Sequence, residues 1–317
     1  MGHAKFKHAP SIALRRAATC ALGSFLAVAQ AADSGLPDCP GVGPHKVLLE
    51  KQGALESIAF DTSGRLLYTD IVSAKLSRLE QPGGSPVVVA SSGLGFPGGI
   101  AVAGPQDAYV GIGNSPINGL LPALGGAGIA HVNLATGAVT PHVKKGLAMS
   151  NGVVRASDGT FYASDDLAQS LDRVLADGTV QRGWLKLNSN GLALSKDEKT
   201  LYVNQMLPAK ILAVDRATAA VRVVAEAPSA RTWTWLDGLG IDGADRLYVV
   251  AYWGGEVWRL EPGSGSLCVL AKGLSMPSAA AVGQAGRGFS ESSVYVTTHS
   301  GRLHEIPNAV PGSGSAR

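Results

Sequence analysis

Six short segments of this 317-residue chain share one pattern, a variable first residue followed by a small and then an apolar one. They are Glu56-Ser57-Ile58, Gly98-Gly99-Ile100, Asn151-Gly152-Val153, Asn190-Gly191-Leu192, Asp237-Gly238-Leu239 and Ser278-Ala279-Ala280. The second and third positions are nearly uniform, as packing positions should be. The first position instead varies among mainly oxygen-bearing side chains. In four segments, at Glu56, Asn151, Asn190 and Asp237, it offers carboxylate or amide oxygen. Brought into one ring, two carboxylates would repel each other unless a cation lay between them. A set of oxygens without Cys or His selects a hard cation. Ca²⁺ is expected before Mg²⁺ or another divalent ion, because a ring drawn from separate strands is not readily octahedral. Taken singly, each of these residues could simply cap a turn at a strand start. Four of them in register argue for the metal.

What would place them in a ring is an internal repeat. Six of the seven tyrosines sit between an apolar or small residue and a small or β-branched one, at Tyr68, Tyr109, Tyr162, Tyr202, Tyr248 and Tyr295, spaced by 41, 53, 40, 46 and 47 residues. Each follows one of the six segments, with a turn such as Asp158-Gly159 or Asp242-Gly243 between them. Two further short alternating runs follow in most copies. Four short strands per 40–50 residues, six times over, predict an all-β fold: a six-bladed β-propeller with four antiparallel strands per blade. Two windows, Asp165 to Ala176 and Ala209 to Ala227, look helical in isolation, but the repeat register requires strands there. The run from His45 to Glu50 precedes the first copy and has no blade of its own; it is expected to close the ring beside Gly301 to Ile306.

The ends read differently. Residues 1–31 carry Lys5, Lys7, Arg15 and Arg16 with no acid, then an apolar stretch from Ala17 to Val28 and an Ala29-Gln30-Ala31 cleavage signal. This is a secretory signal peptide, so the expected location is periplasmic or secreted, by the general or the twin-arginine route. Residues 32–44 form an N-terminal arm, 45–307 the propeller and 308–317 a disordered tail. The whole chain has 27 Lys and Arg against 24 Asp and Glu, but all four basic residues of the signal leave on cleavage, and the mature net charge is −1. With no basic cluster, nucleic-acid binding is excluded as a function class. No apolar run after residue 31 is long enough for stable membrane insertion. Cys39 and Cys268 remain, either paired in the oxidising compartment or as two free thiols. The expected partner is a small-molecule substrate and the expected state a monomer.

Propeller geometry puts the connections after each tyrosine strand at the same end as the ring. These hold Asp165-Asp166, Asn204-Gln205-Met206, Tyr252-Trp253-Gly254-Gly255 and His299-Ser300, with an apolar insertion from Gly113 to Gly126 in blade 2. Met206, Trp235 and Trp253, with Phe96 nearby, make the mouth apolar, and His299 is a lone histidine there. Such a mouth suits substrate binding.

The stretch Leu236-Asp237-Gly238-Leu239-Gly240-Ile241-Asp242, followed by Leu247-Tyr248-Val249-Val250-Ala251-Tyr252-Trp253-Gly254-Gly255-Glu256-Val257-Trp258-Arg259, resembles a blade of the senescence marker protein/gluconolactonase/luciferin-regenerating enzyme family. Ser189 to Ser195 with Lys199 to Tyr202, and Ser293 to Thr298, resemble two more blades. The likeness spans about residues 45–307. It implies a metal-binding propeller, commonly with Ca²⁺, in which Glu56, Asn190 and Asp237 are ligands, Asn151 is a fourth ligand or a substrate contact, and Asp237 is the catalytic carboxylate. Sugar-lactonase members usually carry an arginine two residues before the blade-3 asparagine. Here that residue is Met149, which points to a lactone or ester less polar than gluconolactone.

The expected activity is metal-assisted hydrolysis of a lactone or ester, with Asp237 as base through a water or as direct nucleophile. A serine hydrolase lacks its G-x-S-x-G elbow here, and a zinc hydrolase its H-E-x-x-H. The alternatives are a non-enzymatic binding propeller with a structural ion, and a phosphotriester hydrolase.

Overall fold

The repeat is realised as six four-stranded antiparallel sheets in a computed structural model that describes residues 34–121, 123 and 126–312. The signal-peptide reading of residues 1–31 lies outside the described residues. The strands are numbered β1 to β24; in every blade they run in chain order from the axis outward, except that the outermost strand of the sixth blade is β1. The inner strands are β2 (Leu55–Phe60), β6 (Ile100–Val102), β10 (Val153–Arg155), β14 (Ser189–Leu194), β18 (Leu236–Ile241) and β22 (Pro277–Val282). Both helical-looking windows are strands: Phe161–Asp165 and Ser170–Val174 in the first, Lys210–Asp215 and Val221–Glu226 in the second. Burying both faces of a sheet between neighbouring sheets outweighs local propensity.

Ring closure follows the predicted route. Strand β1 (Lys46–Leu49) pairs antiparallel with β24 (Leu303–Ile306), completing the sixth sheet in the order β1-β24-β23-β22.

The repeated tyrosine has a packing reason. Tyr162 and Tyr248 are fully buried in the walls between their own blade and the next, Tyr162 against Leu192 and Leu201, Tyr248 against Ala280 and Val294. Blade 1 departs from the pattern. Ile58 pairs with Tyr68, whereas Leu192 pairs with Val203 and Leu239 with Val249, the residue after the tyrosine in each case. Tyr68 is therefore displaced by one residue, and a one-residue slip turns a side chain to the other face. It packs with Leu55 and Tyr295 in the wall towards blade 6, and its hydroxyl donates to Gln52 Oε1 at 3.0 Å.

The small second residue of each segment is set by the approach of adjacent inner strands. A methyl group on Gly238 would lie 2.6 Å from both the Ser278 carbonyl oxygen and Ala279 Cα, main-chain atoms that cannot swing aside. Gly238→Ala is expected to cost about 1–3 kcal/mol and to displace the Asp237 main chain; a denaturant melt unchanged from wild type would contradict this packing.

The arm adds to the outside of blade 5. Cys39 donates its amide to Val269 O at 2.8 Å, Val269 donates to Pro37 O at 2.9 Å, and Cys39 is disulfide-bonded to Cys268 on β21 (Ser266–Ala271). The bond closes a span of 229 residues. Cys39→Ser is expected to lower stability by roughly 2–5 kcal/mol, since long closed loops restrict the unfolded chain most; reduced wild type should melt with the variant.

The expectation of a disordered tail over 308–317 is corrected for residues 308–312; residues 313–317 lie outside the described residues. Residues 308–312 are described, Ala309 and Val310 are buried, and Arg246 Nη2 donates to Pro311 O at 2.7 Å. These two apolar residues fill the corner between blades 5 and 6 beside Cys39, which a short Gly/Pro/Ser-rich tail does not announce.

Candidate active site and metal centre

Five of the six first residues, all but Gly98, converge on the axis. An axial cavity of about 100 Å³ is lined by all six inner strands, including Glu56, Asn151, Asn190, Asp237 and Ser278. In four blades the ladder is bulged at this point, between Leu55 and Ile58, Ser189 and Leu192, Leu236 and Leu239, and Pro277 and Ala279. A bulge bends the strand and re-aims one side chain, and here that residue is Glu56, Asn190, Asp237 or Ser278. In blades 2 and 3 the inner strand begins two residues later, leaving Gly98 and Asn151 just ahead of it.

Polar side chains on the second strands satisfy the main chain that the bulges free. Ser57 N donates to Thr69 Oγ1 (3.1 Å), and Thr69 Oγ1 donates to Gly98 O (3.2 Å). Asn204 Nδ2 donates to Asp237 O (2.8 Å), and Ser278 Oγ to Leu55 O (2.6 Å). Three of these bonds cross from one blade to the next, so the ring is tied at the height of the site.

Above it lies a second tier. In blades 2 to 6 the residue four past each tyrosine is Gly113, Asp166, Met206, Tyr252 or His299. Three of these act on the ring. Glu56 is buried and accepts from both sides: Asn114 Nδ2 donates to Oε1 at 2.8 Å, and His299 Nε2 to Oε2 at 2.6 Å. A carboxylate can only accept, so His299 carries its proton on Nε2, and its Nδ1 accepts from the Tyr252 hydroxyl at 3.0 Å. Both imidazole nitrogens are thus engaged internally. His299, expected among the substrate-binding residues, supports Glu56 through these bonds.

Asp166 is the residue the sequence left without a role. Its Oδ1 is buried with no hydrogen-bond partner, and Asn190 Nδ2 reaches Oδ2 only at 3.4 Å. Burial, then the charges of Asp165 and Glu56, push its carboxyl up to about 7. Burial, then the charges of Glu56 and Asp166, raise Asp237 well above the ordinary carboxylate range. Burial also raises the Tyr252 hydroxyl, with Asp237 and Glu56 adding to it. Asp166, from blade 3, thus raises the carboxyl of Asp237, from blade 5, and the Glu56 charge raises both.

The donor chemistry fits a divalent cation. Among the described residues no three His, Cys, Asp or Glu side chains form a metal-binding group by themselves. The oxygen set is instead mixed, with Glu56 and Asp237 beside the amides of Asn151 and Asn190, and the unpartnered Oδ1 of Asp166 adjoins it. All are hard donors, and the mutual repulsion of the carboxylates is what a cation would relieve.

The mouth is apolar. Trp235, Tyr252 and Trp253 form an aromatic wall in blade 5, with ring centroids 5.6 Å apart for the two tryptophans and 4.9 Å for Tyr252–Trp253. Trp253 is exposed, Trp235 half-buried. Met149 and Met206 are buried and stand behind the mouth surface. The blade-2 insertion contains a short helix, α1 (Pro116–Leu120), capped by Ser115; a methyl on its Gly119 would lie 2.9 Å from both Met149 Sδ and a Leu167 methyl. The place of the expected arginine is thus taken by a thioether sealed beneath α1.

The sequence matches the model of the SMP-30/gluconolactonase/LRE-like region over residues 56–300. The chain belongs to this family. No curated protein matches it in sequence. Among solved structures, a gluconolactonase from Xanthomonas campestris superposes with a TM-score of 0.67 at 21% identity, covering 88% of this chain and 99% of that one. A calcium-binding protein, regucalcin, from Agrobacterium tumefaciens gives 0.66 at 16% identity, covering 84% and 93%. Virginiamycin B lyase from Staphylococcus aureus gives 0.57 at 11%, covering 83% and 98%. At these identities the neighbours establish the fold that the family member shares.

Proposed function

We propose that this family member is an exported, divalent-cation-dependent lactonase or carboxylic ester hydrolase acting on a substrate less polar than a sugar lactone. The observation that carries this reading is the convergence of Glu56, Asn151, Asn190 and Asp237 on the axial cavity, with Asp166 against Asn190, beneath an apolar mouth. Membership of a family whose fold includes a gluconolactonase supports the reaction type. The disulfide supports export to an oxidising compartment.

Glu56, Asn190 and Asp237 would hold the cation, with Asn151 beside them. When bound, Ca²⁺ supplies positive charge where the substrate carbonyl oxygen becomes an oxyanion. Asp237, ionised once Glu56 and Asp166 are offset, takes the proton of the attacking water as it adds to the acyl carbon. The acyl C–O bond then breaks, and the departing alkoxide takes the proton back, giving a hydroxy acid from a lactone. Asn114 and His299 fix the Glu56 carboxylate through one hydrogen bond to each oxygen, holding it in the orientation a ligand needs. The aromatic wall of Trp235 and Trp253, and a buried Met149 where sugar-lactonase members carry an arginine, favour an alkyl-bearing substrate over a polyhydroxylated one.

The direct test is a panel of gluconolactone, alkyl γ-lactones and aryl esters, assayed with Ca²⁺, with Mg²⁺ and after chelation. Turnover that disappears on chelation and is greater for alkyl lactones than for gluconolactone is the expected result. Gluconolactone as the preferred substrate would refute the apolar assignment, and absence of turnover throughout would leave a binding propeller.

A further inference from the structure

The two ends of the propeller differ in a way that catalysis does not require. Among the described residues, every exposed large apolar side chain that lies in a loop is at the mouth end. Phe96, Ile117, Leu120 and Leu121, from 53 to 67% exposed, form one arc over blade 2, where Asn114 N donates to Phe96 O at 2.9 Å. Trp233 and Trp253, 79 and 40% exposed, form another on blade 5. Val72, 78% exposed, stands on the blade-1 connection. The remaining exposed apolar residues, such as Val87 and Val221, are valines on outer strands. The loops of the opposite end are polar, with exposed charges of both signs such as Lys196, Asp197, Arg287 and Glu291.

Charge on the mouth loops is biased too. Exposed Lys51, Lys186, Lys272 and Arg302 stand there against exposed Glu50 and Asp38. Tryptophan, phenylalanine and leucine tips on an otherwise polar protein, bordered by excess cations, match the chemistry of a lipid headgroup boundary. Patches of this kind on a soluble fold mark interaction sites.

We propose that the mouth end docks reversibly on an anionic lipid surface, with Trp233 and the α1 residues Ile117 and Leu120 entering the headgroup region and Lys51 and Lys186 beside acidic headgroups. This does not depend on the hydrolase reading. It requires no membrane-spanning segment, and among the described residues no helix is long and apolar enough to cross a bilayer.

The test is co-sedimentation of the full protein with phosphatidylcholine vesicles, with and without phosphatidylglycerol, at low and high salt. Binding to the anionic vesicles, weakened by salt, is expected. The double variant Trp233→Ser/Leu120→Ser should bind about tenfold more weakly or less, and Lys51→Glu/Lys186→Glu should lose the preference for phosphatidylglycerol. Val87→Ser/Val221→Ser, which removes exposed apolar side chains on outer strands away from the mouth, should bind as wild type. Thermal melts of all variants check folding. Failure of wild type to bind anionic vesicles, or equal loss in the outer-strand variant, would overturn the proposal. So would a concentration-dependent dimer abolished by Trp233→Ser, which would assign the surface to a second copy of the chain.

Discussion

Asp237→Asn is expected to reduce kcat by roughly a thousandfold, within the range that a positioned general base supplies, while the protein folds and melts at or above the wild-type temperature without metal. The two halves of this expectation come from one environment. Asp237 sits in the axial cavity near two other carboxylates, and their charges raise its own carboxyl. Removing its charge relieves a native-state repulsion and removes the proton acceptor together. A variant that folds and turns over normally would exclude Asp237 as base or nucleophile. One that fails to fold would make the residue structural. Glu56→Gln provides the comparison. It keeps the shape but weakens the acceptor for His299 Nε2, bonded at 2.6 Å, so metal affinity should fall along with turnover.

The second large effect is a pH-dependent stabilisation by Ca²⁺. In the metal-free protein Asp166 is pushed up to about 7 and Asp237 is raised in the same direction. The folded state then holds protons that the unfolded state has released above pH ~4, so stability must fall as pH rises through that interval. It is fully present below the unfolded pKa and lost as pH passes about 7 for Asp166. A divalent cation replaces those protons. At pH 8, Ca²⁺ at a hundredfold excess over Kd should add about 2.7 kcal/mol, roughly 5–10 °C in Tm for a domain of this size. At pH 5 protons compete, and the increment should be less than half as large. Melting curves at the two pH values, with chelator and with Ca²⁺, measure this directly. Metal-free stability that does not change between pH 5 and 8 would show that the carboxylates are not coupled as described.

The ring was legible in the sequence because its positions are fixed by the main chain. Adjacent inner strands touch through Gly191, Gly238 and their equivalents, so small residues mark the register and the residue before each must face the axis. Asn114 and Asp166 were harder to assign. They lie on loops at the mouth, where no repeated type appears: Gly113, Asp166, Met206, Tyr252 and His299 occupy one tier without sharing a property. Counting four residues on from each tyrosine locates that tier, but only once blade 1 is recognised as slipped by one residue, which the pairing of Ile58 with Tyr68 reveals. The hydrogen bonds from His299 and Asn114 to Glu56 join residues 243 and 58 positions apart, which no local pattern records.

The closing strand has a consequence for the order in which the molecule can be made. Strand β1 is synthesised before every other strand of the propeller, and its partner β24 after all of them. Five blades can assemble as the chain emerges, but the sixth has only β22 and β23 until residue 306 is available, because β1 joins it through β24. Cys39 waits in the same way for Cys268. During that interval β23 lacks its outer partner β24 and the nascent ring is an open arc. A truncation within β24 should therefore fail as a whole rather than lose one edge, and oxidation of the cysteine pair reports that synthesis has passed the fifth blade.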